Sequence, residues 1–359
     1  MSYKAKNQIL RKIVFFLPNL ERGGYQRVFI TLMRLLDKDK YEISLVVTGK
    51  TGALRNLIPN GVNLYEFKSR KTLFSLRKSL KLVRNLKPDI IFSTSYMLNL
   101  VVILVKLLSG KQDKTRIWLR EPNTPGNSIT SFHKFLLKRL YSYADRILAQ
   151  TPEMKEQVLK FYNVDSSKVK VLYNPLDVDY LNNSIKNKSN PFDSGFVNFI
   201  AIGRLTKQKN FEWLIRSFQY ISAQSKNYRL YILGDGPERS RLEELVEKER
   251  LNNSVFLLGE KENPYIYLKC ADLLISSSLW EGMPNVILES IFLETPVVAV
   301  ESTPYLQHLI KDPLNGSVIE EFNTDIMIER ILNYRKYIVD ISLLRHHIKK
   351  SDWIEEFGN

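Results

Sequence analysis

Cysteine is almost absent from this sequence, which has one, Cys270, among 359 residues. A single thiol excludes an internal disulfide framework and a cysteine-based metal site. We interpret Cys270 as a buried thiol of a protein kept in a reducing compartment, and we predict a cytoplasmic location.

Long apolar runs are also missing. The residues up to Phe16 include lysines but no extended apolar region and no small-residue cleavage site, so they do not resemble a secretory signal. The most apolar segment, residues 96–108, contains Asn99 and Lys106 and is shorter than the roughly 20 residues that span a bilayer. We predict that this segment is a buried core helix.

No G-x-G-x-x-G pattern follows the first predicted strand of either half, which disfavours a dinucleotide-dependent oxidoreductase. The composition, 44% hydrophobic and 25% charged, is ordinary for a folded globular protein. Short apolar runs alternate with helical patterns in both halves, which predicts an α/β protein with two Rossmann-like domains.

A polar stretch rich in Asn, Ser and Lys marks the best boundary between these domains. We predict an N-terminal domain over residues 1–178, a linker over 179–195 and a C-terminal domain over 196–359. The last helices of the chain can pack back on the N-terminal domain.

The net charge of +15 is unevenly distributed. The residues through Asp177 include 32 Lys and Arg against 13 Asp and Glu, whereas the remainder has 21 against 25. Residues 68–87 have eight basic side chains and no acidic one, with leucines at helical spacing, and residues 130–143 mix lysines with aromatics. A strongly basic half of a chain attracts polyanions, so the candidate partners of this half are nucleic acid and an anionic membrane.

We favour the membrane, because the sequence has no nucleic-acid recognition module and its charge lies on leucine-rich helices. We therefore predict no nucleic-acid partner and peripheral attachment to the inner face of the plasma membrane.

The residues 276–289, SSSLWEGMPNVILE, follow a short apolar run and lead into a predicted helix with Pro284 at its start. A strand, a tight loop and a helix N-terminus together favour phosphate binding. Glu281 and Glu289 flank this helix start, and carboxylates accept hydrogen bonds from sugar hydroxyls. Arg204 and Lys209, five residues apart in another loop after a predicted strand, can converge on one diphosphate.

Several of these motifs resemble those of the retaining glycosyltransferases of family GT4, which have the GT-B fold. Glu281 and Glu289 with EGMPN match the E-x7-E motif, Gly203-Arg204 with Lys209 match G-R-x4-K, and GDGP begins at Gly234. A glycine pair after the first predicted strand, Gly23-Gly24, also stands where the family has one.

The resemblance implies a GT-B enzyme whose two Rossmann-like domains face a central cleft. It implies transfer of a hexosyl or N-acetylhexosaminyl group, with retention of configuration, from a nucleotide-sugar such as a UDP-sugar to a glycan or lipid-linked acceptor. No metal is expected. The implied catalytic residues are Arg204, Lys209 and Glu281. The implied donor-binding residues are Gly23, Gly24, Gly203, Gly234, Gly282, Met283, Pro284, Asn285 and Glu289.

Glu121 and Asn123 are candidates for the acceptor side, because they follow a predicted strand at the edge where open α/β sheets bind ligands. Many relatives have a histidine in this region, whereas the nearest here is His133. Asp177 and Asp179 imitate a metal-binding D-x-D motif, but their position after Asn174-Pro175 matches a turn of the family instead.

Two alternatives from other classes stay open. The first is a protein that binds a nucleotide-sugar without transferring it, or a GT-B relative such as an epimerase. The second is a basic nucleic-acid-binding protein, which the isoelectric point near 9.6 suggests.

Overall fold

The computed structural model describes residues 10–110, 113–121 and 131–358, and these divide into two compact units. The first unit runs up to Pro175 and also includes the residues from Lys349 onward. The second unit is Leu176–Ile348.

Within the described residues, the first unit has a seven-stranded parallel sheet in the order β3-β2-β1-β4-β5-β6-β7. Its elements up to residue 171 are β1 (Arg11–Leu17), α1 (Gly24–Leu35), β2 (Tyr41–Val47), β3 (Asn63–Glu66), α2 (Leu76–Leu86), β4 (Ile90–Thr94), α3 (Tyr96–Ser109), β5 (Arg116–Arg120), α4 (Ser131–Leu140), β6 (Arg146–Ala149), α5 (Pro152–Tyr162) and β7 (Val169–Val171).

Both faces of this sheet are covered, and therefore its strands are apolar on both sides. In β1, Ile13, Phe15 and Leu17 join one core cluster, while Val14 and Phe16 join the other. The predicted core helix is α3, whose residues Leu98–Ile103 are buried.

The second unit has a six-stranded parallel sheet, again counted over described residues, in the order β10-β9-β8-β11-β12-β13. Its elements are α6 (Val178–Ile185), β8 (Val197–Ile202), α7 (Phe211–Gln224), β9 (Tyr228–Leu233), α8 (Arg239–Lys248), β10 (Val255–Gly259), α9 (Tyr265–Cys270), β11 (Leu273–Ser276), α10 (Asn285–Phe292), β12 (Val297–Val300), α11 (Leu306–Leu309), β13 (Gly316–Ile319), α12 (Thr324–Leu332) and α13 (Arg345–Ile348). The two parallel sheets confirm the predicted α/β class with two Rossmann-like domains.

The last helix, α14 (Ser351–Gly358), belongs to the first unit. Its Phe357 ring stacks on Trp118 with centroids 5.0 Å apart and lies 6.0 Å from Phe15. On the same helix, Glu356 is buried and accepts from Arg146 at 3.1 Å and from Lys170 at 3.0 Å. Apolar contacts and two ion pairs therefore attach α14 to the sheet.

The structure differs from the predicted boundary at residues 179–195, whose first part is helical. Asp177 caps α6 by accepting from the backbone of Tyr180, and Leu181 is buried. Asn263 donates to the carbonyl of Ser184 at 2.6 Å, so α6 is attached to the second unit. The sequence did not predict this helix because its composition is polar. A capping aspartate and one buried leucine are enough to form the helix where a neighbouring element supplies the remaining contacts.

Cys270, predicted to be buried, is partly exposed at the end of α9. Partial burial still raises the pKa of its thiol above the ordinary value.

Candidate active site

The candidate site of the second unit lies at the carboxyl ends of β8 and β11. These strands are neighbours in the sheet, and the strand order reverses between them, since β9 lies beyond β8 and β12 beyond β11. Open α/β sheets bind their ligands at such a switch point. The loop 203–210 follows β8, and the loop 277–284 follows β11.

The two loops are joined by hydrogen bonds that the sequence did not reveal. The backbone N–H of Leu279 donates to the carbonyl of Gln208 at 2.8 Å. The Gln208 side chain donates to the carbonyl of Trp280 at 2.7 Å, and the Ser277 hydroxyl donates to the carbonyl of Lys209 at 2.8 Å. These bonds fix the position of Lys209 against the segment that includes Glu281.

Lys209 and Glu281 form an ion pair, with Nζ and Oε1 separated by 2.6 Å. The two side chains are only 19% and 11% exposed, so the pair is well shielded from solvent. An ammonium group has three N–H donors, and therefore Lys209 can hold Glu281 and still donate to a phosphate oxygen. The structure thus brings together two of the three predicted catalytic residues.

Arg204, the third, is exposed, and its guanidinium has no hydrogen-bond or ion-pair partner within the described part of the chain. It precedes Lys209 in the same loop, on the carboxyl side of β8. An unengaged guanidinium here can form charge-assisted bonds to phosphate oxygens.

Two glycines allow these loops to approach closely. Gly234 has φ +139°, and a Cβ there would lie 1.9 Å from the carbonyl oxygen of Gly203. A Cβ at Gly203 would lie 2.8 Å from Cε of Lys209. A side chain at Gly234 would displace the backbone of the loop that carries Arg204 and Lys209, and one at Gly203 would displace the Lys209 side chain.

The start of α10 completes this site. Gly282, Met283 and Pro284 are buried, and Pro284 occupies the N-cap position without a side-chain cap. The first turn has no acidic residue, so no carboxylate there offsets the positive end of the helix dipole. Asn285 begins the helix, and Glu289 in its second turn accepts from the Tyr265 hydroxyl at 3.3 Å.

In the first unit, Gly23 and Gly24 also lie at a switch point, because β1 has β2 on one side and β4 on the other. Gly23 is the N-cap of α1, and Gly24 is its first residue. A Cβ at Gly23 would lie 2.3 Å from Oε1 of Gln26. A side chain at Gly23 would therefore displace the Gln26 amide.

Glu121, proposed for the acceptor side, is 3% exposed at the end of β5. The Tyr141 hydroxyl donates to its carboxylate, and Asn99 donates to that hydroxyl at 2.9 Å. Burial raises the pKa of Glu121 to about 7, although the hydrogen bond from Tyr141 opposes the shift. Glu121 thus belongs to a buried network, while Asn123 lies outside the described residues.

Asp177, part of the D-x-D imitation, caps α6 instead. Among the described residues, no group of three or more His, Cys, Asp or Glu side chains is placed to hold a metal ion. The prediction that transfer needs no metal stays a prediction. In the same part of the chain, every helix falls short of the length and apolar character that crossing a membrane requires.

Comparison with known proteins identifies the class. Residues 22–180 match the model of glycosyltransferase family 4, and residues 182–337 match that of glycosyl transferases group 1. HepE of Anabaena, solved in complex with UDP and glucose, superposes with a TM-score of 0.79 over 97% of this chain and 98% of its own, at 16% identity. The fold is GT-B, and the chain belongs to the family 4 glycosyltransferases.

Two proteins with similar sequences are also named as glycosyltransferases. An uncharacterised glycosyltransferase of Methanocaldococcus jannaschii is 35% identical over 269 residues, which cover 71% of this chain and 65% of that protein. An enzyme of Campylobacter jejuni is 28% identical over 336 residues, which cover 89% of each chain. It is named N-acetylgalactosamine-N,N'-diacetylbacillosaminyl-diphospho-undecaprenol 4-alpha-N-acetylgalactosaminyltransferase.

Proposed function

We propose that this glycosyltransferase moves a hexosyl or N-acetylhexosaminyl group, with retention of configuration, from a nucleotide-sugar such as a UDP-sugar to a glycan or lipid-linked acceptor. The pathway would be synthesis of a surface polysaccharide or glycolipid. One observation carries the proposal: Arg204, the Lys209–Glu281 pair and the start of α10 all lie at the switch point of the second sheet.

The proposed chemistry is stabilisation of the leaving group. The bond between C1 of the sugar and the diphosphate breaks while the oxygen of the acceptor hydroxyl bonds to C1. Negative charge develops on the departing diphosphate, which takes up the proton of that hydroxyl. Arg204 and Lys209 stabilise that charge together with the α10 dipole and the backbone N–H groups of residues 283–285. A donor of this kind typically contributes about 2.7–4 kcal/mol to lowering the barrier.

The carboxylates have orienting roles in this proposal. Glu281, held by Lys209, accepts from hydroxyls of the donor sugar, and Glu289 accepts from the ribose hydroxyls. The glycines at 23, 24, 203, 234 and 282 let backbone approach the donor closely. Metal is not needed, because protein cations and the helix dipole offset the diphosphate charge.

The acceptor is proposed to be lipid-linked, since the Campylobacter jejuni relative is named for a diphospho-undecaprenol acceptor. The first unit, with Gly23, Gly24, Glu121 and Asn123, is proposed as the acceptor side. Nucleic acid is not a proposed partner.

Attachment to the inner face of the plasma membrane is part of the proposal. In the first unit, α3 packs against both α2 and α4. Phe74, just before α2, is 65% exposed and Phe135 on α4 is 60% exposed, while Leu108 on α3 is 51% exposed. Exposed basic side chains lie on the same segments of the chain: Arg70, Lys71, Arg77, Lys78, Lys81, Arg84, Lys138 and Arg139. An amphipathic, cationic surface of this kind suits an anionic bilayer.

A panel of nucleotide-sugars tests the function. A ligand at 100 times its dissociation constant adds about 2.7 kcal/mol of stability, so the donor is expected to raise the melting temperature while nucleotides of the wrong base do so less. Turnover is then measured with and without acceptor.

The outcomes separate the alternatives. Stabilisation with transfer only in the presence of acceptor supports the proposal. Stabilisation without any turnover indicates a binding protein, and conversion of the donor sugar without acceptor indicates an epimerase. Tight nucleic-acid binding with a steep salt dependence, and no nucleotide-sugar effect, would contradict the enzyme assignment.

A further inference from the structure

Arg120 and Glu121 are consecutive at the carboxyl end of β5, but they lie on opposite faces of the first sheet, because side chains alternate along a strand. Arg120 shares the face of Trp118 and is in register with Leu148 of β6. Glu121 faces the cluster that contains Tyr141. The two charges are therefore not paired with each other.

The Arg120 guanidinium is buried with most of its donors unused. The residue is 2% exposed, and its Nη2 donates to Oδ1 of Asn174 at 2.6 Å. Its Nε and Nη1 atoms, which carry three of the five N–H groups, have no hydrogen-bond partner among the residues that the structure describes. It forms no ion pair with any carboxylate that the structure describes.

The side chains that Arg120 contacts through hydrogen bonds are neutral. Asn174 is held by a bond from its amide to Gln150 at 3.0 Å, and Gln150 donates to the carbonyl of Glu121 at 2.7 Å. Thr94, in register with Arg120 on β4, has a buried hydroxyl that also lacks a partner within the described ranges. Burial lowers the pKa of Arg120 to about 9, although the charge of the neighbouring Glu121 opposes the shift.

Burying a cation is costly unless its donors are hydrogen-bonded, so the unused donors of Arg120 favour an anionic ligand. Arg120 lies at the carboxyl edge of the sheet, where such folds bind ligands, and its strand is next to β4 at the switch point. A guanidinium with free donors suits phosphate oxygens.

We propose that Arg120 binds a phosphate group of the acceptor, with the Thr94 hydroxyl as a second donor. The inference rests on the proposed function, since it takes the acceptor to be linked through phosphate. It adds an anion site in the first unit, separate from the diphosphate site at Arg204 and Lys209.

Two variants test this site. Arg120→Gln removes the charge and keeps a group that can bond to Asn174. Asn174→Asp keeps Arg120 and its hydrogen bond but supplies a buried carboxylate that competes with the ligand. Inorganic pyrophosphate is titrated calorimetrically into full-length protein with UDP at saturation, so that the site in the second unit is already filled.

The wild-type protein is expected to bind pyrophosphate under these conditions, and both variants at least about tenfold more weakly, because each loses charge-assisted hydrogen bonds to the ligand. Unchanged pyrophosphate affinity in Asn174→Asp overturns the inference, even if Arg120→Gln fails to fold.

The UDP titration of the same samples keeps the two proposals apart. If wild-type protein fails to bind UDP, the assignment of a UDP-sugar donor is wrong whatever pyrophosphate does. If UDP binds equally to all three proteins and pyrophosphate binding does not depend on Arg120 or Asn174, only the Arg120 site is refuted.

Geranyl diphosphate then identifies the source of the phosphate: tighter binding than pyrophosphate indicates a lipid-linked group, and equal binding a free diphosphate.

Discussion

Arg204 and Lys209 are both cations of one loop, but their surroundings differ. Lys209 is shielded and paired with Glu281, whereas Arg204 is exposed. Replacing Arg204 therefore removes charge from the proposed diphosphate site with little effect on folding, while replacing Lys209 also leaves a shielded carboxylate without its cation.

We expect Arg204→Gln to lower kcat by roughly 10²–10³-fold, because one donor to a developing oxyanion is lost. The melting temperature is expected to stay within about 1 °C of the wild type, since an exposed and unpaired side chain contributes little to stability. Lys207→Gln, an exposed cation of the same loop, is the control and is expected to retain its rate. Equal rate losses in both variants would argue against a specific role for Arg204.

The Lys209–Glu281 pair is tested by a double-mutant cycle with Lys209→Gln and Glu281→Gln. We expect a coupling energy of about 1–2 kcal/mol in urea unfolding, because both side chains are shielded. The pair Lys269–Glu294 is the matched control: its atoms are 2.8 Å apart, but its side chains are 36% and 66% exposed. Its coupling is expected to be below about 1 kcal/mol. A smaller value for the shielded pair than for the exposed one would contradict this account.

Glu121 gives a pH dependence with a definite sign. Its ordinary pKa of 4.5 is raised to about 7 by burial, with Tyr141, Tyr162 and Arg120 around it. Between these values the folded protein retains a proton that the unfolded chain releases, so stability falls as pH rises from about 4.5 to 7.

The variant Glu121→Gln can still accept a hydrogen bond from Tyr141. We expect its stability not to fall with pH in this way. Relative to the wild type, its free energy of unfolding should increase by about 2–3 kcal/mol between pH 5 and pH 8. Urea titrations at several pH values measure the difference. Parallel pH profiles for the two proteins would show that Glu121 is ionised throughout.

The contribution of the short helix α14 to the stability of the first unit can be tested directly. Phe357 is 1% exposed among Phe15, Phe92 and Trp118, whereas Ile354 on the same helix is 45% exposed. We expect Phe357→Ala to lower the free energy of unfolding of the first unit by about 3–5 kcal/mol through the cavity it leaves. Ile354→Ala, the control, is expected to cost less than about 1 kcal/mol. Similar costs would mean that α14 is not part of the core.

Much of the element pattern could be predicted from the sequence, since buried parallel strands are continuous apolar runs and the loops after them contain glycine and proline. The loops after β8 and β11 were predicted for this reason. The helix α6 was not, because its asparagines and serines are typical of a linker. The environment of Glu121 could not be predicted from the sequence either. Its partner Tyr141 is twenty residues further on, and tertiary packing alone brings the two side chains together.

The pairing of Lys209 with Glu281 illustrates the same limit at the site. Each residue could be singled out from its motif, but the two are 72 positions apart and both were expected to contact ligand. Only the adjacency of β8 and β11 in the sheet brings them together.

For the whole molecule, the uneven charge is the main feature relevant to membranes. We expect the protein to co-sediment with vesicles of phosphatidylglycerol at low salt and to be released at high salt, because screening weakens the attraction. Phosphatidylcholine vesicles are expected to bind it much less.

The double variant Phe74→Ser, Phe135→Ser is expected to bind phosphatidylglycerol vesicles less than the wild type does, since it lacks two exposed apolar side chains of the first unit. Tyr220→Ser is the control, because Tyr220 is 58% exposed but belongs to the second unit. Protein that stays in the supernatant with anionic vesicles at low salt would refute the membrane proposal.

The discontinuity of the first unit has a consequence for synthesis on the ribosome. Domains generally fold as they emerge, the N-terminal one first. Here Trp353 and Phe357, which complete an aromatic cluster of the first sheet, are translated only after the whole second unit. The nascent first unit must therefore wait, with part of its apolar surface uncovered, until those residues leave the exit tunnel.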